Sequence, residues 1–185
     1  MKRAFTMLEL VFVIVIAGIL AAVIIPETRT NPAAEAAINL QSKIRYTQHL
    51  AIIDDKYDSN TTSTWYKDRW QIVFDDDKYS IMSNNNATFA KDTTDSNKEI
   101  KDIDLNEQGV SLTFAGGCAE INNIMYLSFD SMGRPLLGDL NNYTLPYMST
   151  ANEKILQADC NITISAGSEN IVITIEPVTG NIRGI

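Results

Sequence analysis

The chain has 185 residues, with 23 acidic against 15 basic side chains, one histidine, two cysteines and a formal net charge of −8. That length suits one globular body plus a terminal segment. The acidic balance argues against a nucleic-acid-binding body, because phosphate recognition relies on clustered Lys and Arg.

The first stretch reads MKRAFTMLELVFVIVIAGILAAVIIP, with Lys2 and Arg3 ahead of an apolar run from Phe5 to Ile25 whose one charged side chain is Glu9. As a continuous helix that run would extend roughly 31 Å, about the hydrocarbon thickness of a bilayer. A carboxylate placed deep in such a segment costs a few kcal/mol, so Glu9 needs a reason to be there. Three readings compete. A secretory signal peptide has the right basic start but lacks a good A-x-A site. A plain anchor would let Glu9 snorkel to the interface. A chain cut between Ala4 and Phe5 would place a new α-amine beside Glu9 and give the carboxylate a natural partner.

The combination of Phe5 after a short basic leader, Thr6, Leu8, Glu9, Gly18 and Pro26 resembles the signal and N-terminal helix of type IV pilins and their pseudopilin relatives. The resemblance implies cleavage by a prepilin peptidase between Ala4 and Phe5, N-methylation at Phe5, and helix-mediated stacking into a filament. In that filament Glu9 of one subunit would pair with the terminal amine of another, which offsets the desolvation of both charges. Gly18 and Pro26 both weaken a helix and permit local unwinding on packing. Ala4 departs from the glycine usual before the cut, which implies slower processing. The implied partners are other pilin or pseudopilin subunits, the peptidase and an inner-membrane assembly platform. The implied location is the bacterial inner membrane, single-pass, with the N-terminus cytoplasmic and the body periplasmic, then a periplasm-spanning filament. Loss of Lys2 and Arg3 with the leader would leave 13 basic against 23 acidic residues, a charge of −10.

Asn31-Pro32 has the pattern of an N-cap followed by a first-turn proline. From Ala33 to about Ile53 the composition predicts a helix with Ala34, Ala37, Ile38, Ile44, Ala51 and Ile52 on its apolar stripe, and Glu35, Asn39, Lys43 and Arg45 on other faces. Residues 54–68 read as a polar connection. Alternation through Trp70, Ile72 and Phe74, the acidic turn Asp75-Asp76-Asp77, and Lys78 to Met82 predict a hairpin. Residues 83–99 read as an exposed loop. Further strands are expected at Val110–Phe114, Met125–Phe129, Ile162–Ser165, Ile171–Glu176 and Asn181–Ile185, separated by Gly- and Pro-containing turns. No internal repeat is visible. The expectation is an α+β, pilin-like fold: leader 1–4, a transmembrane and assembly helix 5–25, its soluble continuation 26–53, and a mostly antiparallel, β-rich periplasmic body 54–185.

Within that body WQIVF, DDKYSI, LSFDSMGRP and IVITIEPVTGNIRGI resemble the H-type minor pseudopilins of type II secretion and the related minor pilins of type IV pilus systems. The resemblance is closest over residues 4–26, looser over 110–185, and lapses over 54–68 and 83–99. It implies a structural subunit of a type II secretion pseudopilus, or alternatively of a type IV pilus or DNA-uptake system, without enzymatic activity or cofactor.

The remaining constellations weigh little toward chemistry. Cys118 and Cys160 match no zinc spacing, and in an extracellular context a disulfide is the better reading, with two reduced buried thiols as the other. His49 has no nucleophile singled out beside it. The three consecutive aspartates suit a solvated turn better than a calcium loop, so no metal site is assigned. Arg183 in the C-terminal segment stands without the second basic residue that would favour DNA binding. Sequons occur at Asn60, Asn86, Asn142 and Asn161, and Asp58 and Asp159 precede two of them by two positions; polar loops make such triplets by chance, and the candidate glycosylation acceptor is Asn60, in an expected exposed loop, whereas Asn161 abuts Cys160.

Overall fold

A computed structural model describes residues 7–24, 31–60, 62–118, 120–121, 123–147 and 155–184. The chain divides into two units, one up to Thr30 and one from Asn31 onward. The first contains helix α1, Met7–Ile24. The second begins with helix α2, Pro32–Ile53. Ala4, Phe5 and Pro26 lie outside the described residues.

α1 overturns the expected membrane placement. Its 18 residues span about 27 Å at 1.5 Å per residue. Glu9 sits in the first turn, so the uncharged part from Leu10 to Ile24 covers about 22 Å, short of a roughly 30 Å hydrocarbon core. Among the described residues no helix is long and apolar enough to cross a membrane, which contradicts the expected single-pass inner-membrane protein with a cytoplasmic N-terminus and periplasmic body. Residues 25–30, where the expected soluble continuation would join the first helix, lie outside the described residues, which give one helix in each unit.

The start of α2 follows from Asn31-Pro32. The Asn31 side chain accepts the Ala34 N–H at 3.0 Å, and proline occupies the first turn, where its missing N–H costs nothing. The buried face differs from the expected one. Ala33, Ala36, Ala37, Leu40, Ile44, Thr47 and Ala51 point inward, whereas Ile38 and Ile52 are exposed. Lys43, assigned to an outer face from sequence, is buried and pairs with Asp92 at 3.2 Å.

Eleven strands follow among the described residues: β1 Gln71–Asp75, β2 Lys78–Ser83, β3 Thr88–Phe89, β4 Ile103–Asp104, β5 Ser111–Gly116, β6 Glu120–Ile121, β7 Ile124–Phe129, β8 Pro135–Leu137, β9 Cys160–Ala166, β10 Glu169–Ile175 and β11 Ile182–Arg183. One sheet runs β3-β2-β1-β7-β6, with β4 also on β2 and β8 also on β7; the other runs β11-β10-β9-β5. Every described pairing is antiparallel. The fold is therefore α+β. α2 packs against strands of both sheets, β1 and β7 of the first and β9 and β10 of the second. Leu40 and Ile44 join Ile72, Phe74, Leu127, Ile162, Ile164 and Ile173 in one apolar core.

The β1–β2 hairpin turns where the aspartates predict it. Asp76 adopts φ 50°, a left-handed value that a short polar residue tolerates. Asp77 does more than face water, because its Oδ1 accepts the Leu112 N–H at 2.7 Å and ties the turn to β5.

The segment 83–99 is not simply an exposed loop. Asn84, Asn85 and Asn86 take φ of 52°, 55° and 66° and turn the chain into β3, after which Lys91 and Glu99 form an isolated bridge flanked by buried Ala90 and Ile100. Residues 54–68 also carry structure. Trp65–Asp68 form a 3-10 turn whose Tyr66 is buried in a small second cluster with Leu136, Leu140 and Tyr143.

Candidate functional site

α1 is apolar on every face. From Met7 to Leu20 each residue is exposed, ranging from Met7 at 84% to Ile16 at 46% for the large hydrophobics. A helix that is hydrophobic all round normally lies buried, since its free energy falls as each face leaves water. Glu9, exposed in the first turn, is the one charge among the described residues of α1, and a carboxylate there is favoured by the helix dipole. A side-chain carbon added at Gly18 would meet nothing within 4 Å, so its small size serves no contact inside the described structure.

Cys118 and Cys160 form a disulfide with their Cα atoms 4.7 Å apart. The approach depends on the two preceding glycines. Gly116 has φ 74°, and a Cβ there would collide with the Asp159 carbonyl oxygen, while one on Gly117 would collide with that of Ala158. The Gly117 N–H instead donates to the Asp159 oxygen at 2.7 Å. The bond thus fastens the end of β5 to the start of β9, where Cys160 is fully buried.

The C-terminal arginine is neutralised locally. Arg183 Nε lies 2.9 Å from Glu176 Oε1 and Nη2 lies 3.6 Å from Asp159 Oδ2. Arg45 donates to the Ile182 carbonyl at 2.9 Å and holds β11 from the helix side. His49 is exposed on α2. Among the described residues no three metal-ligating side chains converge.

Asn60 is exposed in an irregular segment, and its carboxamide oxygen accepts from Thr62. Asn86 is half-buried, Asn142 is exposed in the short turn Leu140–Asn142, and Asn161 lies within β9.

A cluster built on Arg69 escaped the sequence reading. Its guanidinium lies 4.8 Å from the ring centroids of both Trp65 and Tyr147, and Nη1 donates to the Pro146 carbonyl at 2.7 Å. Burial pushes the guanidinium pKa below its ordinary value, countered by nearby Tyr147 and Asp130. Asp130, nearly inaccessible, accepts from the backbone N–H groups of Met132 and Arg134 and from Arg134 Nε at 2.7 Å. Beside this cluster opens a cleft of about 330 Å³ walled by Tyr57, Trp65, Arg69 and Tyr147. The local signal was the dense aromatic and basic run WYKDRW, which supplies Trp65, but the other partners come from residues 130–147, which no local pattern links to it.

No protein-family model, curated protein or solved structure matches this chain.

Proposed function

We propose that the chain is a structural subunit that assembles into a helical filament through α1, in the manner of minor pseudopilins of type II secretion. The observation that carries this is the exposure of α1 from Met7 to Leu20, a stretch apolar on every face apart from a single carboxylate in its first turn. Packing such helices against those of neighbouring subunits would remove the apolar area from water at about 25 cal/mol per Å². Cleavage between Ala4 and Phe5 would supply the α-amine that meets Glu9 of the adjacent subunit, and Gly18 would allow close helix approach. The β-rich unit would then form the lateral surface. The DNA-uptake alternative is less well supported, because Arg183 is held by Glu176 and Asp159.

The test is Glu9→Ala. Processing should be unchanged, while the amount of subunit that co-pellets with filaments should fall about tenfold or more, the consequence of losing a charge-assisted contact of about 1.5–3 kcal/mol. Wild-type incorporation of the variant would remove charge pairing from the mechanism.

A further inference from the structure

We infer that Asn60 is an acceptor for N-linked glycosylation, taking a sugar from a phosphate-activated donor. The triplet Asn60-Thr61-Thr62 is one of four sequons, and the structure separates it from the others.

An acceptor asparagine must present its amide nitrogen outward, with the third-position hydroxyl close by, on backbone that can enter a transferase. Asn60 meets all three demands. Its Oδ1 is turned toward the chain, accepting from Thr62 N–H at 3.2 Å and Thr62 Oγ1 at 2.9 Å. Both donors engage the oxygen, and Nδ2 makes no hydrogen bond among the described residues. Asp58 Oδ1 accepts the Asn60 N–H at 2.9 Å and repeats the same turn two residues earlier. Asn60 belongs to no helix or strand, so seating it in a transferase breaks no sheet ladder.

The other three fail for separate reasons. Asn161 lies in β9 between β5 and β10, with its Oδ1 accepting from Thr174 at 2.8 Å. Asn86 is half-buried, and its Oδ1 accepts from buried Gln71 Nε2 at 2.6 Å. Asn142 has Nδ2 directed to Asp139 Oδ2 at 3.4 Å, and fully buried Tyr143 follows it, so its sequon cannot enter an active site without unfolding.

In the transfer, Asn60 Nδ2 attacks the anomeric carbon of the donor. The C–N bond forms as the bond from that carbon to the donor phosphate oxygen breaks, the electron pair leaves on phosphate, and one Nδ2 proton passes to a base of the transferase. A lipid pyrophosphate oligosaccharide and a nucleotide-activated hexose both supply this chemistry.

The experiment takes the full chain in two arms: a membrane oligosaccharyltransferase with a lipid-pyrophosphate-linked oligosaccharide, and a soluble N-glycosyltransferase with UDP-glucose. Peptide mass mapping should place one glycan on Asn60, an oligosaccharide or a single hexose according to which arm is active. Asn60→Gln and Thr62→Ala should each reduce occupancy more than tenfold, with unchanged circular dichroism showing that the fold survives. Asp58→Ala should lower occupancy less than Thr62→Ala does. Absence of modification in both arms, while a control acceptor peptide is glycosylated in each, would overturn the inference. So would occupancy of Asn86, Asn142 or Asn161 in preference to Asn60.

Discussion

Breaking the Cys118–Cys160 disulfide should destabilise the β-rich unit by about 4 kcal/mol. The cysteines are 42 positions apart, and the chain-entropy treatment of a loop that long gives about 13 cal/mol/K, or about 4 kcal/mol at room temperature. The stabilisation resides mainly in the unfolded state, where the bond ties together a segment that includes β7 and β8. Urea unfolding of the oxidised chain, the reduced chain and the Cys118→Ala/Cys160→Ala double variant would measure it. With a slope near 2 kcal/mol per molar urea, the midpoint should drop by roughly 2 M, and the slope itself should rise because the uncrosslinked chain exposes more surface. The reduced chain and the double variant should agree within about 1 kcal/mol, since replacing Cys160 leaves only a small void. A drop below about 1 kcal/mol with unchanged slope would refute the entropic account.

Two further outcomes follow from the β-rich unit. Asp92 has its pKa lowered to about 2, chiefly by the Thr94 hydroxyl and backbone N–H, with Lys43 adding to the effect. A depressed carboxylate pKa stabilises the fold above its unfolded value near 4 and loses that contribution as pH falls toward about 2. Asp92→Asn should therefore destabilise the chain at pH 6 in urea titrations, and the gap from wild type should close between about pH 4 and pH 2; a constant gap would contradict it. Val178 holds φ 63° in a tight turn where Thr179 N–H reaches the Pro177 oxygen at 2.6 Å, and its side chain is 55% exposed. Left-handed backbone strains a β-branched residue, so Val178→Gly should stabilise by about 1 kcal/mol and raise the thermal midpoint by about 2–4 °C. A lowered midpoint would mean that the side chain contributes more than its geometry costs.

Much of the fold was legible because its signals are local. Asn31-Pro32 sets the start of α2, the alternation of Ile72 and Phe74 sets the inner face of β1, and the aspartates place the hairpin turn. The face of α2 was misread because its abundant alanines and isoleucines fit several stripes at helical spacing. The choice among them is made by distant partners: Asp92 for Lys43, and the carbonyls of Gly133 and Gly180, which both accept from Gln48. Strand β3 and the Lys91–Glu99 bridge were hidden because backbone pairing does not require apolar side chains. The membrane expectation rested on a helix running from Phe5 to Ile25, whereas the described helix spans Met7–Ile24 and carries its charge in the first turn. The Arg69 stack was illegible for the same reason as the α2 face, since Tyr147 is its far partner.

The proposed assembly through α1 requires that α1 remain part of the working protein. Intact mass and N-terminal fragmentation of the chain isolated from its own cells address this directly. A mature chain beginning at methylated Phe5, with Glu9 and Gly18 retained, is the predicted result. A mature chain beginning beyond Pro26 would lack α1 altogether, and filament assembly through that helix would be contradicted.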